Sequence, residues 1–517
     1  VINNGTMNDP VNVSGGTNFS FLENGTFGST TLTASSSGTN TLVVNAGFSI
    51  GFVTLTGQDN VVDNFGTFHN PLVLTASDQN YVVNRAGAFF NAVDFNGPNN
   101  TIDNSGTFNA GTHFDQDGGT NVIQNRETGI IDGITSTGNS IDRVHNQGQV
   151  FGNVSLGPGA DWYVNLGGTH PGAVAGAIDL GDDRDILYIQ DGSVSSPVQM
   201  GNGDDWAAML DGTLSANFQA GDGEDTFHWA GGNVTAGVDM GTGDDRANLY
   251  DLTQANLLTG MQINGGLGDD VLHWSNTIGE GVYRYDEWEL IELTRNSELI
   301  FSDFNTLNLG DSGTGTGTLS IDPTSRVSAG GGTHTVAPAT GGELVTVLNA
   351  GLIDLTNRQP NTSDRFVVEG NYIGDGGTLA LQTYLGADSS PSDQLVIRGS
   401  GARGTGNTFI SITNLDGPGD QTLGNGIRVV DADGGAETDA GAFALAAPVG
   451  AGVFEYQLFY GGVDADAGDN DWYLRSSVGL PPTTPQTPGP EPIPPPPPVT
   501  PIPPGPEPIP PPPPVIP

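Results

Sequence analysis

A repeat of about twenty residues runs through the first part of the chain and limits the folds open to it. Asn-Gly-Thr at Asn4 recurs at Asn24, Asn45, Asn64, Asn84 and Asn104, each followed closely by Phe, and continues at Asn125 and Asn146, with spacings of 20, 21, 19, 20, 20, 21 and 21. A second asparagine column runs through Asn40, Asn60, Asn80, Asn100 and Asn121. Aligned at this period, Val62, Val82, Ile102 and Ile123 form one apolar column, and Phe27, Phe48, Phe68, Phe89, Phe108 and Ile130 a second. In an extended chain residues i and i+2 share a face, so Asn64 is expected to point inward with Val62. An inward asparagine in each coil can pass an amide hydrogen bond to the next, satisfying a group that is costly to bury alone. The pattern predicts an all-β chain, a right-handed parallel β-helix with three short strands per ~20-residue coil, in which each coil is stable only against its neighbours. Leucine-rich repeats share the period, but their Leu-x-x-Leu-x-Leu frame is missing, and a propeller needs a period near 40.

From about Ala177 the period persists and the chemistry changes. Acidic turns end at Asp185, at Asp204-Asp205, at Glu224-Asp225, at Asp244-Asp245 and, after a longer step, at Asp269-Asp270. Gly265-Gly-Leu-Gly-Asp-Asp-Val-Leu-His273 fits the nonapeptide of calcium-binding β-rolls. The turns resemble those of repeat-toxin β-rolls, although here each coil has one motif and usually lacks the first Gly. Stacked at ~4.8 Å, such acids call for a cation or must splay into water. Calcium, which takes six to eight hard oxygens, is the candidate ion, with Asp185, Asp204, Asp205, Glu224, Asp225, Asp244, Asp245, Asp269 and Asp270 as candidate ligands. The competing reading is a set of solvated corners.

Composition narrows the function. The chain carries 14 basic and 59 acidic residues, a formal net charge of −45, so nucleic acid and anionic membranes are poor partners. It has no Cys, hence no disulfide or thiolate site, and no apolar run long enough for a membrane helix. The start, Val1-Ile-Asn-Asn4, lacks the features of a signal peptide, so a mature or excised form is expected. The seven His are scattered, with no zinc spacing, and Gly310-Asp-Ser-Gly313 reads as a turn, lacking the His loop that a trypsin-like nucleophile motif needs. Acid pairs repeated on every coil look like a ladder and not like one active site. The chain is therefore read as a non-enzyme, with a secreted polysaccharide-acting enzyme as an alternative.

The expected domains are regular coils over 1–300 (asparagine coils to about 176, acidic coils about 177–275), an irregular solenoid with a C-terminal β cap over 301–476, and a Pro-rich linker over 477–517. The linker repeats Gly-Pro-Glu-Pro-Ile-Pro from Gly489 and from Gly505, a composition for extended polyproline II.

Within the second of these domains, Asp364-Arg-Phe-Val-Val-Glu-Gly-Asn-Tyr372, Gly376-Gly-Thr-Leu-Ala-Leu381, Ser392-Asp-Gln-Leu-Val-Ile-Arg-Gly399, Gly424-Asn-Gly-Ile-Arg-Val-Val430, Phe454-Glu-Tyr-Gln-Leu458 and Asp471-Trp-Tyr-Leu-Arg-Ser476 follow one another ahead of the Pro-rich tract. In this order they resemble the pertactin-like passenger of type V autotransporters, and its autochaperone region in particular. The resemblance implies a passenger carried through the outer membrane of a Gram-negative cell by its own C-terminal β-barrel, which this chain does not include, and shown at the cell surface or released. It implies an adhesin or virulence factor, a monomer whose partner is a host-cell surface or matrix component. A calcium-stiffened stalk is a further alternative.

Overall fold

A coil is built from three strands that alternate inward and outward residues. In the coil from 198, Val198–Asn202 buries Val198 and Met200, Trp206–Met209 buries Ala207 and Met209, and Thr213–Leu214 buries Leu214. Glycine turns separate the strands because stacked turns touch: a Cβ on Gly203 would lie 2.1 Å from the carbonyl oxygen of Asp183 one coil earlier. Each strand pairs in parallel, in register, with its counterpart twenty residues on, as in Val198 with Phe218, Trp206 with Thr226 and Thr213 with Asn233. The protein is a β-solenoid, as the repeat predicts. The computed structural model describes residues 2–27, 31–114, 118–257, 260–302, 306–357 and 360–478. Among them the only helical pieces are two three-residue 3-10 turns, Val282–Arg284 and Asp464–Asp466. The Pro-rich segment, from 479 onward, lies outside the described residues.

The interior is one continuous column of apolar side chains. Val62, Val82, Ile102 and Ile123 are fully buried and in mutual register. The aromatic column differs from the expectation. Phe68 packs tilted against Phe90 and Phe90 stacks on Phe108, with ring centroids 4.4 and 5.1 Å apart, and the series runs through Ile50 and Ile131. Phe48, Phe89 and Ile130 are not members of it. The cause is turn length: Asn64 to Phe68 is four residues and Asn84 to Phe90 six. The turn with two extra residues crosses Gly87, at φ +80°, and an insertion of two keeps the strand's inward parity.

The inward asparagine ladder forms, and one register slip changes its membership. Asn64 donates its side-chain amide to Asn84 at 3.0 Å, Asn84 to Asn104 at 2.9 Å, and the chain of bonds continues through Asn125 and Asn146 to Asn165. Toward the N-terminus this column holds Val44, Glu23 and Asn3. Asn4, Asn24 and Asn45 stand one residue later and make their own ladder nearer the surface. The spacing of 19 between Asn45 and Asn64 is where the two series part.

The last coils close the solenoid. Parallel pairing gives way to antiparallel pairing where Ile427–Asp433 meets Trp472–Val478, which in turn pairs with Phe454–Tyr460. Trp472 donates its indole N–H to Thr438 at 2.9 Å, and Arg428 bridges Asp431 and Asp471 at 2.9 and 3.1 Å. A hairpin laid antiparallel over the final coil covers a strand edge that would otherwise pair with another chain.

Candidate functional site: the acidic turns

The acids of each candidate pair are adjacent in the bend between two strands, one exposed and the other buried. Asp204, Glu224, Asp244 and Asp269 are exposed. Asp185, Asp205, Asp225, Asp245 and Asp270 are buried, none more than 3% exposed. The nine residues therefore separate into an outer and an inner column and do not converge on common points. Among the described residues no group of three or more His, Asp or Glu is placed to hold a metal ion.

The inner column continues the second asparagine ladder. Asn40, Asn60, Asn80, Asn100 and Asn121 are linked amide to amide at 2.6–2.8 Å, and Asn121 donates to Asp142. From there the linkage changes. The backbone N–H of Asp142 donates to the Oδ1 of Asp161 at 2.7 Å, and the same bond recurs from Asp161 to Asp185, then to Asp205, Asp225, Asp245 and Asp270, each at 2.7–2.8 Å. Asp270 finishes the series on the Oε2 of Glu289. The Oδ2 atoms of Asp161, Asp185, Asp205, Asp225, Asp245 and Asp270 are buried and make no hydrogen bond.

Burial raises the pKa values along the whole column. The Asp161 carboxyl is pushed up to about 9, Asp185 and Asp245 to about 8, Asp205 and Asp270 to about 7 and Asp225 to about 6. Desolvation is the largest cause, the donated backbone N–H opposes it, and neighbouring acids add to it. The outer acids instead cap backbone groups across coils: Glu224 N–H donates to Asp204 at 3.1 Å and Asp269 N–H to Asp244 at 3.0 Å.

Other sequence candidates resolve as structure. Asp311, in the Gly310–Gly313 turn, accepts backbone N–H groups from Gly313, Thr314 and Gly268. Burial raises its pKa, but these donors win and hold it below the usual range. His228 lies between Trp206 and Tyr250, ring centroids 5.4 and 5.9 Å away, and burial lowers its pKa to about 4. Sequence reasoning misses that the inner acids are buried. The signal is present: Asp205 stands two residues before Ala207 and four before Met209, the parity of the core.

Comparison with known proteins places the C-terminal part. Residues 343–458 match the family Autochaperone Domain Type 1. The chain is 40% identical over 134 residues, 23% of its length, to the adhesin BmaC autotransporter of Brucella suis, and 40% identical over 126 residues, 24% of its length, to the probable autotransporter YfaL of Escherichia coli. It is 36% identical over 141 residues, 27% of its length, to the uncharacterized protein YuaQ of Escherichia coli. It spans only 4%, 9% and 10% of the lengths of these three relatives respectively. A solenoid of stacked coils that ends in an autochaperone domain fits the architecture of a type V autotransporter passenger domain.

Proposed function

We propose that this passenger is an adhesin, displayed on or released from the surface of a Gram-negative cell, that attaches to a host-cell or matrix component. In this reading it is a monomer outside the cell, its own C-terminal β-barrel carries it there, and nucleic acid is not a partner. The observation that carries the reading is the autochaperone domain at 343–458 closing a long repetitive solenoid. The similarity to a relative named as an adhesin supports it. The reading includes no catalysis: the acids recur coil after coil, whereas a hydrolytic site needs one acid and one base at a single place. The test is attachment of beads coated with the full chain to epithelial cells and to a panel of matrix proteins. Adhesion above beads coated with an unrelated acidic β-solenoid is expected; equal adhesion on every surface would remove the reading.

A further inference from the structure

The outward residues of the middle strand of each coil line up into one lateral face. Over 78–143 this face is hollowed into a groove of about 510 Å³. Its floor is Tyr81, Thr101 and Val122, one per coil and in register, and Arg143 occupies the next position. Several polar groups along its sides are already committed. Asp103 is held by Arg126 at 2.7 Å, and Asn99 donates to the Asp78 carbonyl at 3.2 Å while accepting the Thr120 N–H at 3.3 Å.

Three groups are not committed among the described residues: the Asp78 carboxylate, the Gln79 amide and the Arg143 guanidinium make no side-chain hydrogen bond and no ion pair, and Arg143 only rests over the Trp162 ring at 5.8 Å. A guanidinium without an ion pair at the end of this groove can take a carboxylate from outside the chain through charge-assisted hydrogen bonds. The single ring of Tyr81 at one end of the floor offers stacking area, and a carboxylate with an amide offers both acceptors and donors to neighbouring hydroxyls. Three coils separate Tyr81 from Arg143, ~14 Å at the strand spacing, which suits a short chain of sugars better than one ring.

We propose that this groove binds an oligosaccharide stacked on Tyr81, with an acidic group of the sugar facing Arg143. The proposal deepens the adhesin reading, on which it rests for its biological use, by naming the chemistry of the attachment target. A basic peptide is disfavoured because the end of the groove is itself cationic.

The test is calorimetric titration of the full chain with sialyllactose, tri-galacturonate and neutral chitotriose. At least one acidic sugar should bind, Tyr81→Ala should weaken it tenfold or more, and Arg143→Gln should weaken the acidic sugars tenfold while sparing chitotriose. Both side chains face outward, so circular dichroism should be unchanged. If Tyr81→Ala fails to fold, Thr101→Arg blocks the floor from the next coil. Gln199→Ala, outside the groove, should leave binding as it was. Binding of none of the sugars, or binding indifferent to the groove variants, overturns the proposal; binding of chitotriose alone overturns the role of Arg143. Bead adhesion without sugar binding removes the groove and leaves the adhesin reading, and sugar binding without adhesion does the reverse.

Discussion

One column of the solenoid is asparagine from Asn40 to Asn121 and aspartate from Asp142 to Asp270, and the two stretches solve the same packing problem differently. An amide brings a donor and an acceptor to every coil, so the asparagine stretch is self-complementary and needs no proton. An ionised carboxylate brings acceptors only. The aspartate stretch therefore takes the backbone N–H of the preceding coil on Oδ1 and leaves Oδ2 buried without a partner. The comparison teaches that two stretches with the same spacing and the same burial can differ in the variable that governs them. Protons govern the second and leave the first alone.

The largest expected effect is on pH dependence. In the unfolded chain these carboxyls titrate near 3.8, and in the folded chain at about 6 to about 9. Because the folded values are raised, their contribution to stability is fully present below about 4 and is lost as pH rises through the folded values. Each group changes stability by ~1.4 kcal/mol per pH unit inside its window. Several groups act together, with mutual repulsion spreading their titrations. Amide hydrogen exchange over 185–270 should therefore slow by at least tenfold, after correction for intrinsic rates, when pH falls from 8 to 5. Corrected exchange over 60–125 should stay constant. Equal response in both stretches would remove the distinction.

The next effect comes from placing an aspartate in the asparagine stretch. Asn80 accepts from Asn60 and donates to Asn100. Asn80→Asp keeps the first bond and sets two acceptors against each other at the second, a loss of about 3 kcal/mol at pH 7. Urea unfolding should recover most of that loss at pH 4, where a protonated carboxyl can donate again. A loss that is the same at both pH values would mean that shape, and not donor count, holds this ladder.

Much of this is legible in the sequence. The column Val62, Val82, Ile102, Ile123 and the amide ladder from Asn64 follow from a period of two within strands and twenty between coils. How many residues each turn absorbs does not follow from the period, and so the repeat puts Phe89 where Phe90 stands. The acid pairs are a different matter. The period of two that sets Asn64 beside Val62 also turns Asp205 inward with Ala207, while Asp204 in the bend stays exposed, but calcium-motif spacing suggests that they act together. Burial removes solvation as the account of the inner column, whose carboxyls desolvation holds above the usual range. The groove over Tyr81 has no signal in the sequence, since it depends on which outward side chains are large in three successive coils.

Converting the aspartate stretch toward the asparagine one should give a smaller effect of opposite sign. In Asp205→Asn the Oδ1 still accepts the Asp185 N–H, and no charge remains to be buried. Between pH 5 and pH 8 the variant should gain about 2.5 kcal/mol on the parent, because the parent's Asp205 carboxyl titrates at about 7; whatever the buried amide N–H₂ loses by lacking an acceptor is the same at both. Differential scanning calorimetry at the two pH values checks the sign. Destabilisation of similar size at both would mean that the carboxylate itself is required.

The smallest effect concerns calcium, and it separates the two columns of the aspartate stretch from each other. Only the outer acids are open to an ion from solution, and each coil offers one of them: Asp204, Glu224, Asp244 and Asp269. Calcium takes six to eight oxygens, so an ion bound there would complete its shell with water and turn carbonyls, and would bind weakly. Stabilisation follows RT ln(1 + [L]/Kd), about 0.4 kcal/mol when calcium equals Kd, so millimolar calcium should raise the melting temperature by no more than about 2 °C. Asp204→Asn with Glu224→Gln should abolish that rise and leave the pH dependence of exchange at Asp205 and Asp225 in place, because those carboxyls face the core. Magnesium, smaller and slower to shed water, should do less. A rise of ten degrees or more, lost in Asp205→Asn and kept in the outer pair of variants, would show the ion to be held by the buried oxygens. The unpartnered Oδ2 atoms would then be ligands, and the protonated inner ladder would have to be given up.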